Sequence, residues 1–326
     1  MRNARNQILE WAEGGRLKPD NVEAALTTSG TLPNATAWRD FIAHLFLWLG
    51  TTLVAAGIIF FLAYNWQELG KFAKFVLVEG LIVAAIAATC IYGLDRAAGK
   101  AGLLFATLTV GALMALFGQT YQTGADPWQL FASWALIILP WLLVARFAAL
   151  WLIWLMLVNL AVALYFMVFP GIFGVLFGQV TLLSWSLFAL NSIVLVVWEW
   201  LASQGGVIWL QRRWAARVVA TASGACVSFL AFLWVFDAKE IGPGALLVYL
   251  LWMGAAYWFY RFQTRDVYVL AGGVFSAIVV IAALLGRLLL DRTEAGGFLF
   301  IGLVVIGLSA VGARWLKDIA AENPDE

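Results

Sequence analysis

A chain of 326 residues that is 63% hydrophobic, only 12% charged and of mean hydropathy +0.90 is neither an ordinary soluble domain nor a disordered tail. Its formal charge of +1 supplies no basic surface for nucleic acid, which is excluded as a partner, and the lipid bilayer takes its place. The two cysteines, Cys90 and Cys226, lie inside apolar runs with no disulfide framework to join, and both are expected as small buried hydrophobes.

Taken in chain order, the first forty residues carry mixed charges and no short apolar segment followed by a small-residue cleavage site, so the first span is expected to stay as an anchor. Asn6 to Glu13 has helix-forming composition, Gly14 and Gly15 break it, and Lys18-Pro19-Asp20-Asn21 opens a second short helix through Leu26. This predicts a helical hairpin over residues 1–37 whose apolar side chains are Ile8, Leu9, Trp11, Leu17, Val22 and Leu26. So small a unit cannot bury a core alone. It is either a docking or homo-oligomerisation module or a cap on the ends of the spans, and the sequence leaves both open.

Ten apolar stretches follow, near Phe41 to Tyr64, Phe72 to Tyr92, Ala101 to Phe117, Phe131 to Val144, Phe147 to Phe169, Phe177 to Trp198, Ala216 to Phe236, Ala245 to Tyr260, Val267 to Leu285 and Gly296 to Gly312. About twenty residues rising 1.5 Å each cross the roughly 30 Å hydrocarbon core. The fold class is therefore an all-α polytopic membrane protein with about ten transmembrane helices and an N-terminal cytoplasmic helical hairpin. The short fourth stretch, followed after only Ala145 and Arg146 by the fifth, leaves nine or eleven spans open. The membrane part divides into a region of four spans over 38–146 and one of about six over 147–313, with a tail at 314–326.

Orientation follows from the cations. With an inside N-terminus, fifteen of the twenty lysines and arginines fall on the inner side, leaving only Lys71, Lys74, Lys239, Arg287 and Arg292 outside. That satisfies the positive-inside rule and puts both termini in the cytoplasm. Trp66, Trp128, Trp198, Trp200, Trp209 and Trp315 sit at span ends, as expected of an aromatic belt.

Two runs stand out. The first, Gly57-Ile58-Ile59-Phe60-Phe61-Leu62-Ala63-Tyr64-Asn65-Trp66, closes the first span. The second is Gly118-Gln119-Thr120-Tyr121-Gln122-Thr123-Gly124-Ala125-Asp126-Pro127-Trp128, continuing to Trp134 and Pro140-Trp141. These runs, with the Trp11 to Leu17 hairpin, resemble the bacterial membrane proteins catalogued as domain of unknown function 2157. The resemblance covers roughly the first half of the chain. It implies a multi-pass protein of the bacterial inner membrane and supplies no established active site, cofactor or catalytic residue.

The polar segments Asn65 to Gly70, after the first outward-going span, and Gln119 to Trp128, after the second, are expected on the outer face, where Asn65, Gln67, Glu68, Gln119, Thr120, Tyr121, Gln122, Asp126 and Gln129 would gather hydrogen-bonding groups. Two readings stand side by side: a recognition pocket open to the periplasm, or a capped interhelical turn whose amides satisfy helix ends. Glu79, roughly 12 Å below the outer end of the second span, is the sharpest single suspect, because an intramembrane carboxylate is costly unless protonated, paired or hydrated. Lys74 lies some 140° away around the same helix and is a poor partner.

His44 is read as an interfacial or interhelical hydrogen-bonding residue, and Asn159 and Asn191 as an interhelical contact. The spacing of Gly297, Gly302 and Gly307 suggests close helix packing. One histidine and two separated cysteines leave no metal ligand set, and no cofactor is expected. There is no phosphate-binding glycine loop, nucleophile-elbow serine or paired metal-binding acid motif. An enzyme is thus disfavoured, with a membrane-embedded transferase using Glu79 and Asp126 kept as a minor alternative. Transport or handling of a lipid or envelope component through the outer cavity ranks first. A non-catalytic scaffold docking an envelope or membrane protein partner ranks second.

Overall fold

The computed structural model describes residues 2–64, 70–122, 124–168, 179–205, 207–289 and 295–322, and among them all regular structure is helical. Among the described residues, ten helices are long and apolar enough to cross a membrane. The chain divides into two units, one of residues 1–109 with 317–326 and one of residues 110–316.

The first unit opens with α1 (Arg2–Glu13) and α2 (Val22–Thr28), joined through a 3-10 turn at Pro19–Asn21, which is the expected hairpin. Ile8 is its buried apolar residue, whereas Leu9 and Trp11 are exposed. Helix α3 (Ala35–Tyr64) and helix α4 (Lys71–Tyr92) follow, and α5 (Ala97–Tyr121) begins in this unit and continues into the second. Helix α4 meets α5 at a close approach. A Cβ on Gly102 would lie 2.7 Å from the Thr89 hydroxyl, and that hydroxyl donates to the Ala85 carbonyl at 2.9 Å and the Gly99 carbonyl at 3.1 Å. His44 bonds within its own helix, its Nδ1 donating to the Asp40 carbonyl at 2.7 Å. Cys90 is exposed rather than buried, because it falls on the outer stripe of α4.

The second unit contains α6 (Pro127–Ala145), α7 (Ala148–Val168), α8 (Gln179–Ser203), α9 (Arg213–Phe236), α10 (Gly244–Trp258), α11 (Val267–Leu289) and most of α12 (Ala295–Ala321). The fourth span is longer than hydropathy suggests. Pro127 occupies the first turn, where its missing N–H costs nothing, so the helix begins before the polar Gln129. Between α6 and α7 Arg146 adopts a left-handed φ of 45°, which makes the expected hairpin turn. Trp154 of α7 ties the pair together by donating its indole N–H to the Ala135 carbonyl at 3.2 Å.

In this apolar bundle, polar side chains bond across helices, as they must where water is absent. Asn159 and Asn191 exchange amide hydrogen bonds of 3.2 and 2.6 Å and also donate to the carbonyls of Leu155 and Leu187, which confirms their expected interhelical role. Ser192 and Ser223 lie 2.7 Å apart, and Trp252 donates to Ser223 at 3.1 Å. Ser276 meets Ser228 at 2.6 Å and Tyr249 at 3.0 Å.

Glycine packing differs from the expectation. A Cβ on Gly302 or Gly307 would meet open space, whereas one on Gly312 would come within 2.5 Å of Val274. Trp198 also departs from the belt: it is buried, in edge contact with Trp209 at 6.0 Å, and Trp209 stacks on Trp151.

Candidate functional site

The second polar run divides between helix and turn. Gln119, Thr120 and Tyr121 complete the last turn of α5, Gln122 takes a left-handed φ of 44°, and Gly124 takes 65°. Such a φ costs a glycine little and a glutamine more, so the chain reverses here at the expense of one strained residue. Asp126 then sits at the N-cap of α6 in extended conformation, yet its carboxylate makes no capping bond. It is half-buried and has no hydrogen-bond or ion-pair partner among the described residues.

Around this turn lies a cavity of about 860 Å3 lined by Gln119, Asp126, Gln129 and Ser133 together with apolar side chains that include Phe117 and Trp128. A second cavity, of about 500 Å3, adjoins it between α6 and α7. Its walls are Ala135, Leu136, Leu139, Trp154, Val158, Val162, Tyr165 and other mostly apolar groups, and Trp128 and Ala132 line both spaces. The Trp128 ring stands edge-on to Tyr165 with centroids 5.2 Å apart, and its indole N–H is buried without a partner among the described residues. The first cavity carries polar groups among mostly apolar ones, and the second is almost wholly apolar.

Of the residues singled out by sequence, Gln119, Asp126 and Gln129 thus share one cavity. Tyr121 and Gln122 are exposed beside it, with the Tyr121 ring against Phe117 at 4.8 Å. Asn65, Gln67 and Glu68 lie outside the described residues. Glu79 belongs to the first unit, exposed on α4 and without a hydrogen-bond or ion-pair partner among the described residues. Lys74, on the opposite face of the same helix, is buried, as the helical angle between them requires. No group of three or more metal-ligating side chains occurs among the described residues.

One polar constellation escaped the sequence reading. At the ends of α8, α9 and α11, Arg213 donates to Glu199 at 2.7 Å and to Asp266 at 3.1 Å, while the Arg217 Nε reaches both Asp266 oxygens at 3.0 and 2.9 Å. Tyr260 donates its hydroxyl to Glu199 at 2.9 Å, and the Tyr268 backbone N–H reaches Asp266 at 3.1 Å. The two guanidinium groups also lie over the rings of Tyr260 and Tyr268. A π-helical turn at Phe259–Gln263 and a left-handed Arg265 (φ 51°) swing Asp266 into place, where it is 1% exposed. Two cations and two carboxylates cancel. The available signal was Arg213 and Arg217 one turn apart, with an acid at each neighbouring span end.

A chain whose described residues form only helices, ten of them apolar and of membrane length and joined by interhelical polar bonds, is a polytopic membrane protein. Residues 9–151 match the model of the family described as predicted membrane protein (DUF2157). No curated protein and no solved structure matches the chain. The matched segment contains the whole 860 Å3 cavity and stops before Glu199, so the charge cluster lies beyond it.

Proposed function

We propose that the protein binds a membrane amphiphile, in the transport or transfer of a lipid or envelope component, through the paired cavities beside the α5–α6 turn. The observation that carries this is their shared wall. Trp128 and Ala132 separate a space bearing a carboxylate and two amides from one that is almost wholly apolar, as a head group and an acyl chain require. Each volume falls within the roughly 300–1,000 Å3 range of small-molecule sites. The distribution of cations supports a cytoplasmic N-terminus, a position in the inner membrane and a polar mouth opening to the periplasm.

Native mass spectrometry from lipid nanodiscs tests this reading. Wild type should carry an amphiphile that Ala132→Phe, which fills the shared wall, fails to retain while preserving helicity. Equal retention by both proteins would overturn it. A scaffold role is the second reading, and the exposure of Leu9 and Trp11 on the hairpin favours it. It predicts that deleting residues 1–37 abolishes a protein association while Ala132→Phe is silent.

A further inference from the structure

We infer that the head group bound in the polar cavity is cationic, an ammonium carried on an apolar tail. This rests on the amphiphile reading and adds the chemistry of the head. Among the described residues, Asp126 is the one ionisable side chain on the cavity wall, with no lysine, arginine or histidine beside it there. An anionic head group would enter beside a carboxylate with no counter-cation at hand, and in a membrane-adjacent cavity of reduced dielectric that repulsion is weakly screened.

The carboxylate is also available. It sits at the N-cap of α6, yet it makes no capping bond and has no partner among the described residues. Free lone pairs on a half-buried carboxylate suit an ammonium donor or a quaternary ammonium. The rest of the wall fits the same guest. Trp128 and Phe117 bring aromatic rings, which attract cations to their faces, and Gln119 and Gln129 bring amide oxygens. The adjoining apolar cavity distinguishes a tailed ammonium from a free inorganic cation, which would gain nothing from it.

The test uses the full chain in nanodiscs of uncharged lipid, with binding of dodecyltrimethylammonium, dodecyl phosphate and dodecyl maltoside measured by calorimetry. Tetramethylammonium serves as the tailless control. Wild type should bind the alkylammonium at least about tenfold more tightly than the alkyl phosphate, a ratio accessible to one charge contact. Asp126→Asn should erase that preference while leaving dodecyl maltoside binding unchanged, and Asp126→Glu should restore most of it.

If all three alkyl probes bind alike and Asp126→Asn has no effect, the cationic head is wrong and the amphiphile site survives. If none binds, the amphiphile reading itself fails. Binding of tetramethylammonium as tight as that of its dodecyl analogue would overturn the tailed ligand in favour of a simple cation.

Discussion

Two acidic sites in the second unit have opposite surroundings. Asp266 is buried and saturated, accepting from two guanidinium groups and a backbone N–H, whereas Asp126 is half-buried and has no partner among the described residues. A buried carboxylate whose lone pairs are filled by its own chain has nothing left for a ligand, and its role is to fix helices. A carboxylate that faces a cavity unfilled can act on something that enters. The charge cluster is therefore read as architecture, and the α5–α6 turn is the place of the proposed function.

The sharpest way to break that contrast is at Asp266. Replacing it with Ala removes the acceptor of both Arg213 and Arg217, and loss of one member of a buried ionic network costs about 3–5 kcal/mol. Arg217 is over a third exposed, so the lower end is expected, read as a large fall in the thermal unfolding midpoint in detergent. Next in size is Gly111→Val. The Cβ would lie within 2.4 Å of the Trp134 ring, and overpacking of this kind costs about 1–3 kcal/mol, whereas Gly307→Ala should be neutral or slightly stabilising.

The Asn159–Asn191 pair comes third. A double-mutant cycle with leucine should give a coupling of about 0.6–1.7 kcal/mol, the span measured for such bonds in membrane bundles. Smallest is Asp126→Asn, which breaks no hydrogen bond and should change stability by less than about 1 kcal/mol through the helix dipole alone. Its effect belongs in binding.

Hydropathy made most of the fold legible, since length and apolarity alone decide whether a helix spans a bilayer. It was least exact at the polar ends. Gln119 to Tyr121 read as the start of a loop but are helical, and Pro127 to Leu130 read as loop but open α6, because interfacial helix turns are polar without ceasing to be helices. Faces were harder still. Cys90 and Trp198 each occupy the environment opposite to the one expected, since burial depends on which neighbour packs where.

Asp126 and Gln119 were visible as a local polar concentration, but their cavity was not. The cluster of Glu199, Arg213, Arg217 and Asp266 was invisible as a unit. Its bonds join residues separated by 14, 49 and 53 positions, and Asp266 arrives only through a π-helical turn that no hydropathy window registers.

Thermal unfolding of wild type, Asp126→Asn and Asp266→Ala, each with and without saturating dodecyltrimethylammonium, puts both halves of the contrast into one measurement. The account predicts that Asp266→Ala unfolds earlier yet keeps the ligand-induced rise in midpoint, while Asp126→Asn unfolds like wild type and loses that rise. A ligand-induced rise that survives in Asp126→Asn and vanishes in Asp266→Ala would contradict it.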